Sequence, residues 1–443
     1  MNPTHARYLP DDDVQRDVLH DEIHTRPSAT FKLPALIVYV AVMNKSVTTD
    51  MELAHLQRLP GHADLSLDSL KGNFLQLQCG DYKVIWERHT EFTRYTISQP
   101  LPAHAQWGST LPTLTPFVAT GPDWLREIPG KTITAIHLAM LNEGMDDPDA
   151  FYKARQWLGE GTVIGSKMGR TASNESHSYL MTHLRIGADG FERMLVLAAP
   201  DTSENRSGRI AQRLLELETY RMMSLLSLPL AKSMAGKLTH SELQLVDIND
   251  RLEQKLEQDQ QLLDDLAALA VQVESTTAEN SYRFSASRAY DAIVQQRIAE
   301  MREQPLSGMQ TVGEFMQRRL APAMATVNAT SARLSALAER VARANDLLRT
   351  RVDIATENQN QLLLERLAKG QATQLRLQTT VEGLSIAAIS YYVVSLTFYL
   401  GKAIQAAGIV NLSPEMLAGF STPVVLFLCW RMVQKIHRSL NEV

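Results

Sequence analysis

His20 and His24 stand four residues apart, the spacing that brings two imidazoles to one face of a helix, and Asp17 and Asp21 share that face. Two ring nitrogens and a carboxylate make a divalent-metal site of the kind zinc occupies, so His20, His24 and Asp21 are the metal candidates. Against this, Arg26-Pro27 ends any helix at once, and a polar structural cluster uses the same residue types. The run GEGTVIGSKMGR, Gly159 to Arg170, has the glycines of a phosphate-cradling loop but neither the dinucleotide nor the P-loop spacing. A strand is expected after Gly161, which leaves no helix N-terminus to meet a phosphate. His177 and His183, with Ser176 and Ser178, read as a strand surface; no serine sits in a strand-to-helix elbow. Finally, Ser385, Ala388, Tyr392, Ser395, Tyr399 and Lys402 follow one helical stripe inside an apolar segment. Such a stripe can line a polar pore, or pack a neighbouring helix through small residues and hydroxyls. None of these groups amounts to an active site, and the chain is not expected to be an enzyme; nothing specifies a cofactor.

The elements that position the stripe are the most legible in the chain. Gly383 to Gly401, GLSIAAISYYVVSLTFYLG, holds no charged residue, and Glu382 and Lys402 bracket it. At about 1.5 Å per residue the segment covers roughly 28 Å, close to the hydrocarbon thickness of a bilayer. A second apolar run, Met416 to Trp430, contains Pro423 and spans if it continues to about Val433 with Arg431 snorkelling to the surface. Arg366, Lys369 and Arg376 precede the pair and Arg431, Lys435 and Arg438 follow it, against Lys402 alone between them. That asymmetry predicts a two-helix hairpin over 383–433, both termini in the cytoplasm and a basic tail over 434–443. The polar, acidic N-terminus lacks the basic and apolar regions of a secretory signal, so the body is expected to stay inside, at the bacterial inner membrane.

Composition sets bounds on the body. The 443 residues carry a net charge of −5, which argues against nucleic acid as a partner. Two cysteines, Cys79 and Cys429, make no disulfide framework. After a lead-in over 1–30, residues 31–200 read as an α+β domain. A Val/Ile-rich strand, Ala35 to Met43, precedes a helix capped at Thr48-Thr49-Asp50, and three alternating runs follow at 73–79, 82–88 and 91–98. A Pro-rich connector leads to the same order again: strand 132–140, helix 148–158, strands 162–168, 176–186 and 191–197. A duplicated strand–helix–strand–strand–strand unit, 31–100 and 130–200, is one reading of this pattern.

From 203 to 382 the pattern becomes helical, a stalk or coiled coil. One helix is expected to stop at Pro229. A second, over 242–300, carries Leu245, Leu252, Leu256, Leu263, Leu266, Ala270 and Val273. A third begins near Pro322, with Leu334, Val341, Leu348, Ala355 and Leu362 at seven-residue intervals. Continued unbroken from Pro322 to Gly401, that helix would span about 120 Å. An apolar seam this long needs a partner, either the preceding helix folded back or identical subunits, and a homo-oligomer is expected.

The strings LHDEIHTRP (Leu19 to Pro27), GEFMQRRLAP (Gly313 to Pro322), RANDLLRTRVDIATENQNQ (Arg343 to Gln361) and EGLSIAAISYYVVSL (Glu382 to Leu396) together resemble a bacterial family of uncharacterised, predicted membrane-anchored proteins, domain of unknown function 3422. The resemblance covers nearly the whole chain and implies two C-terminal membrane helices, with no established activity. In order of elements alone, the chain also resembles the CorA-type magnesium channels, pentamers whose long helices line a pore. Their Gly-Met-Asn signature is missing: Tyr399-Leu400-Gly401-Lys402 stands in its place, and a ring of Lys402 would repel cations. The expectation is an inner-membrane homo-oligomer with a cytoplasmic sensing domain and lipid, itself and ions as partners. It is either a channel of unusual selectivity or an anchored scaffold or regulatory protein without transport.

Overall fold

The computed structural model describes residues 13–16, 19–20, 29–143, 149–169, 177–254, 259–408 and 413–440. They divide into two compact units, residues 1–257 with 264–343 and residues 258–263 with 344–443.

The first unit is built on one mixed sheet of nine strands. In chain order these are β1 (Ala35–Met43), β2 (Phe74–Cys79), β3 (Tyr82–Arg88), β4 (Phe92–Pro100), β5 (Lys131–Leu141), β6 (Ile164–Met168), β7 (Ser178–Ile186), β8 (Glu192–Leu197) and β9 (Glu303–Pro305). Their lateral order is β2-β3-β4-β1-β5-β8-β7-β6-β9. β1 lies near the centre, antiparallel to β4 and to β5. Its sequence, ALIVYVAVM, is apolar without alternation because both faces of the sheet are covered there. Element order repeats between the two halves, but the pairing does not. β1 meets β4 antiparallel whereas β5 meets β8 parallel, because β6 runs in the same direction as β5 while β2 runs opposite to β1.

One face of the sheet packs α1 (Thr49–Leu56), α2 (Pro122–Arg126) and α3 (Ala150–Leu158). Thr48 caps α1 by accepting from the Met51 amide at 3.4 Å. Leu36, Val38, Val40 and Val42 of β1 enter this core beside Trp86, Tyr95, Trp124 and Trp157. The other face packs α4 (Glu204–Leu225), a helix buried on nearly every side. Gly208 is required there, because a Cβ would lie 1.6 Å from the Ala29 carbonyl oxygen. Outside α4 run α5 (Ser227–Gln254), α6 (Asp259–Met301) and the start of α7 (Val312–Ala406). α8 (Pro414–Leu440) completes the chain.

Three helix boundaries differ from the sequence reading, each for a physical reason. The break near Pro229 falls at Leu226, ahead of the proline, which sits in the first turn of α5. Pro229 lacks the N–H that would bond to Leu225, so the ladder fails one turn earlier. The helix expected over 242–300 belongs to two antiparallel helices, joined by Arg251–Asp265 at 2.9 Å and Gln272–Ser241 at 3.3 Å. The apolar stripe that suggested one rod is where the two pack together. Pro322 lies inside α7 rather than at its start. Val312, Met316, Leu320, Met324 and Val327 are buried around it, and that burial outweighs a proline cost of about 3 kcal/mol. Of the heptad series, Leu334, Val341 and Leu348 are buried, whereas Ala355 and Leu362 are exposed.

Among the described residues one helix, α7, has a window long and apolar enough to cross a membrane, and only 6% of that window is buried.

Candidate functional site

The second face of the sheet is unusually polar. Glu87 of β3 and Arg94 and Thr96 of β4 point toward α4 and α6, and all three are buried. Pleating explains this, because Trp86 and Tyr95, their chain neighbours, fill the apolar core on the opposite face. The Arg94 guanidinium pairs with Glu87 and reaches Glu216 of α4 at 3.4 Å. Glu216 also accepts from Gln212 at 2.8 Å and from Arg297 of α6 at 2.7 Å. Arg297 in turn holds Glu300 at 2.8 Å. Burial works against the charge on Arg94, but the Glu87 carboxylate beside it prevails and holds the guanidinium above its ordinary pKa. Tyr39 donates to or accepts from Thr219 at 2.7 Å, and burial pushes its hydroxyl pKa up.

Tyr39, Glu87, Arg94, Thr96, Glu216 and Arg297 line a cavity of about 280 Å³, walled on its apolar side by Phe31, Phe74 and Ile85. An adjoining depression of about 580 Å³ shares Tyr220 and His89 with it. Tyr220 stacks on Tyr290 at 5.6 Å, and Tyr290 donates to Glu91 at 2.7 Å. Two guanidiniums balanced by carboxylates, with aromatic walls, suit recognition of a small polar molecule. The long Arg94–Glu216 contact is the place where a ligand anion can exchange with an internal one.

Farther along the same face, Glu192 of β8 lies beside Glu218 and Arg221 of α4. Arg221 bonds to Glu218 at 2.7 Å and approaches Glu192 at 3.5 Å. Burial, and then the Glu218 carboxylate, push the Glu192 carboxyl up to about 9, so it is protonated at neutral pH.

Of the metal candidates, His20 is described, in a short helical stretch, while Asp17, Asp21 and His24 lie outside the described residues. Among the described residues no three His, Cys, Asp or Glu side chains gather in a metal-binding group. In the glycine-rich run, strand β6 starts at Ile164, and Arg170 lies outside the described residues. Gly161 is needed for close approach: it has φ +148, and a Cβ would sit 3.1 Å from the His183 ring. Burial, helped by Arg185 and Arg155, lowers the pKa of His183. Ser178 Oγ and His183 Nε2 are buried without hydrogen-bond partners, so no serine–histidine pair forms there; Ser176 lies outside the described residues.

The six stripe residues share one face of α7. Ser385, Ala388, Tyr392, Tyr399 and Lys402 are exposed and Ser395 partly so, while Ser390 and Gly401 are buried on the other side. That other side meets α8: Ser421 donates to Thr397 at 3.4 Å, and Gly401 lies against Pro414 and Leu417. Lys402 Nζ rests 5.1 Å from the Phe398 ring.

The family described as Protein of unknown function (DUF3422) matches residues 11–440. The chain belongs to this family. No curated protein and no solved structure matches it. The DUF3422 match runs through the sheet, the helices and the apolar segment alike, so it embraces both units.

The sequence reading did not single out Arg94, Glu216 or Arg297. They are separated by 122 and 81 positions and meet only through the fold. The one local signal was charge at Glu87 and Arg94 directly beside the aromatic core residues Trp86 and Tyr95.

Proposed function

We propose that this DUF3422 protein is a homo-oligomer of the bacterial inner membrane, whose cytoplasmic α+β body senses a small polar ligand and passes the bound state to a transmembrane hairpin. The observation that carries this reading is the continuity of α7. One helix starts at the sheet edge, where Glu303 accepts the Val312 and Gly313 amides at 2.9 Å each, and its later turns are the apolar span. The ligand site is the Arg94–Glu216–Arg297 cleft. Antiparallel packing of α8 against α7, through Thr397–Ser421 and Gly401–Leu417, supports a second span over Met416 to about Val433. Basic residues at the inner ends of both helices support cytoplasmic termini.

The reading takes two forms. The exposed hydroxyls of Ser385, Tyr392 and Tyr399 favour a polar path through the assembly, in the manner of the CorA-type order of elements. Lys402 at the outer end favours an anchored regulatory module through which cations do not pass. Purified full-length protein in sealed liposomes separates them. Ion flux supports the channel form, and an intact oligomer without flux supports the anchored form. A monomer in detergent that carries no flux sinks both.

A further inference from the structure

We infer that the face of α7 running from Leu363 into the bilayer segment is where a second copy of this chain packs, parallel and at the same depth. Leu363, Leu367, Gly370, Gln374, Leu377, Val381 and Leu384 are spaced four, three, four, three, four and three residues apart, the alternation of a two-helix seam. The five large apolar residues among them are 55% to 75% exposed. The stripe Ala388, Tyr392, Ser395, Tyr399 and Lys402 continues the same face toward the outer end.

The other possible covers are accounted for. α8 lies against Thr397 and Gly401; at 3.6 residues per turn these point roughly 170° away from the seam. Lipid does not cover the first part, because Arg366, Lys369 and Arg376 place it outside the hydrocarbon. Leucines this exposed in water need a protein partner.

Two features of the helix select a copy of itself. Glu365, Lys369, Arg376 and Glu382 all project away from the seam, and its flanks between 371 and 380 are Gln371, Thr373, Gln378 and Thr380. Between 371 and 380 identical helices therefore meet without like-charge repulsion, while the basic residues Arg366 and Lys402 stand toward the two ends of the face. Gln374 within the seam pairs with its own copy only in register, which a shared bilayer depth supplies. This inference rests on the reading of α7 as a bilayer-crossing helix.

The test is disulfide crosslinking of full-length protein in native membranes, in a Cys429→Ser background that keeps the buried Cys79, with one cysteine at a time introduced at Gln374, Leu377 or Val381 or, on the opposite face, at Arg376 or Thr379. A product of twice the chain mass is expected at the first three positions, about ten-fold above the other two. Equal yields at all five positions, no crosslinking at any, or products of another mass overturn the seam while leaving membrane anchoring intact. Recovery of the uncrosslinked chain in the aqueous fraction overturns the membrane reading itself, and the shared depth with it.

Discussion

Glu216 is a single carboxylate held between two guanidiniums from different layers, Arg94 of the sheet and Arg297 of α6. Replacing one member of a buried ionic network leaves the others desolvated and unpaired. Glu216→Gln is expected to destabilise the chain by about 3 kcal/mol in a urea titration of the full-length protein in detergent. An effect under about 1 kcal/mol would mean that Glu87 alone suffices for Arg94. Glu192 tests the opposite case, a carboxyl that is stable because it is neutral. Its folded pKa, about 9, lies above the ordinary value of 4.5. The stabilising contribution is therefore fully present below about 4.5 and is lost as pH rises through about 9. Glu192→Gln fixes the neutral form, so its Tm should exceed the parent's by about 3 °C or more at pH 9. The gap should close toward pH 5, and a gap independent of pH would assign the effect to packing.

At the scale of elements, the start of α7 depends on a side chain from the preceding strand. Glu303 accepts from the Val312 and Gly313 amides and from Ser166 of β6, satisfying donors that a helix leaves open at its first turn. Glu303→Ala should cost about 1–2 kcal/mol and speed amide exchange at Val312 and Gly313, whereas Glu303→Gln, which keeps one acceptor, should cost less. Unchanged exchange in the alanine variant would mean that the helix start is held by packing alone. This contact also marks where sequence reasoning stops. The first eight strands were legible because a Val/Ile run for β1, and alternation and polar turns for the others, are local signals. β9, three residues long and formed only by pairing with β6, was not. The prolines at 229 and 322 were legible as residues but misleading as boundaries. Their outcome depended on which neighbouring turns had apolar surface to bury. The charged cleft was the least legible part, since its ionic partners come from four elements and carry no shared motif.

At the scale of the whole molecule, orientation is the property on which the proposed sensing depends, because it sets the compartment that the cleft faces. Six basic residues flank the two apolar segments on one side, Arg366, Lys369 and Arg376 before the first and Arg431, Lys435 and Arg438 after the second. Lys402 stands alone in the stretch between them. Moving basic residues outward across the bilayer is unfavourable during insertion, so the cleft is expected inside and the link between α7 and α8 outside. Two exposed positions separate the alternatives in intact spheroplasts of a Cys429→Ser strain, with a maleimide that does not cross membranes. Ala407→Cys, just past the end of α7, should be labelled before lysis. Lys45→Cys, on the loop after β1, should be labelled only after lysis. The reverse pattern would invert the topology and place the cleft outside the cell. Labelling of neither cysteine before lysis would mean that the link never crosses, leaving α7 and α8 as a hairpin dipped into one leaflet. In that arrangement the seam on α7 could still join two copies, but no path through the bilayer could form, and the channel form of the proposal would fall while the anchored form survived.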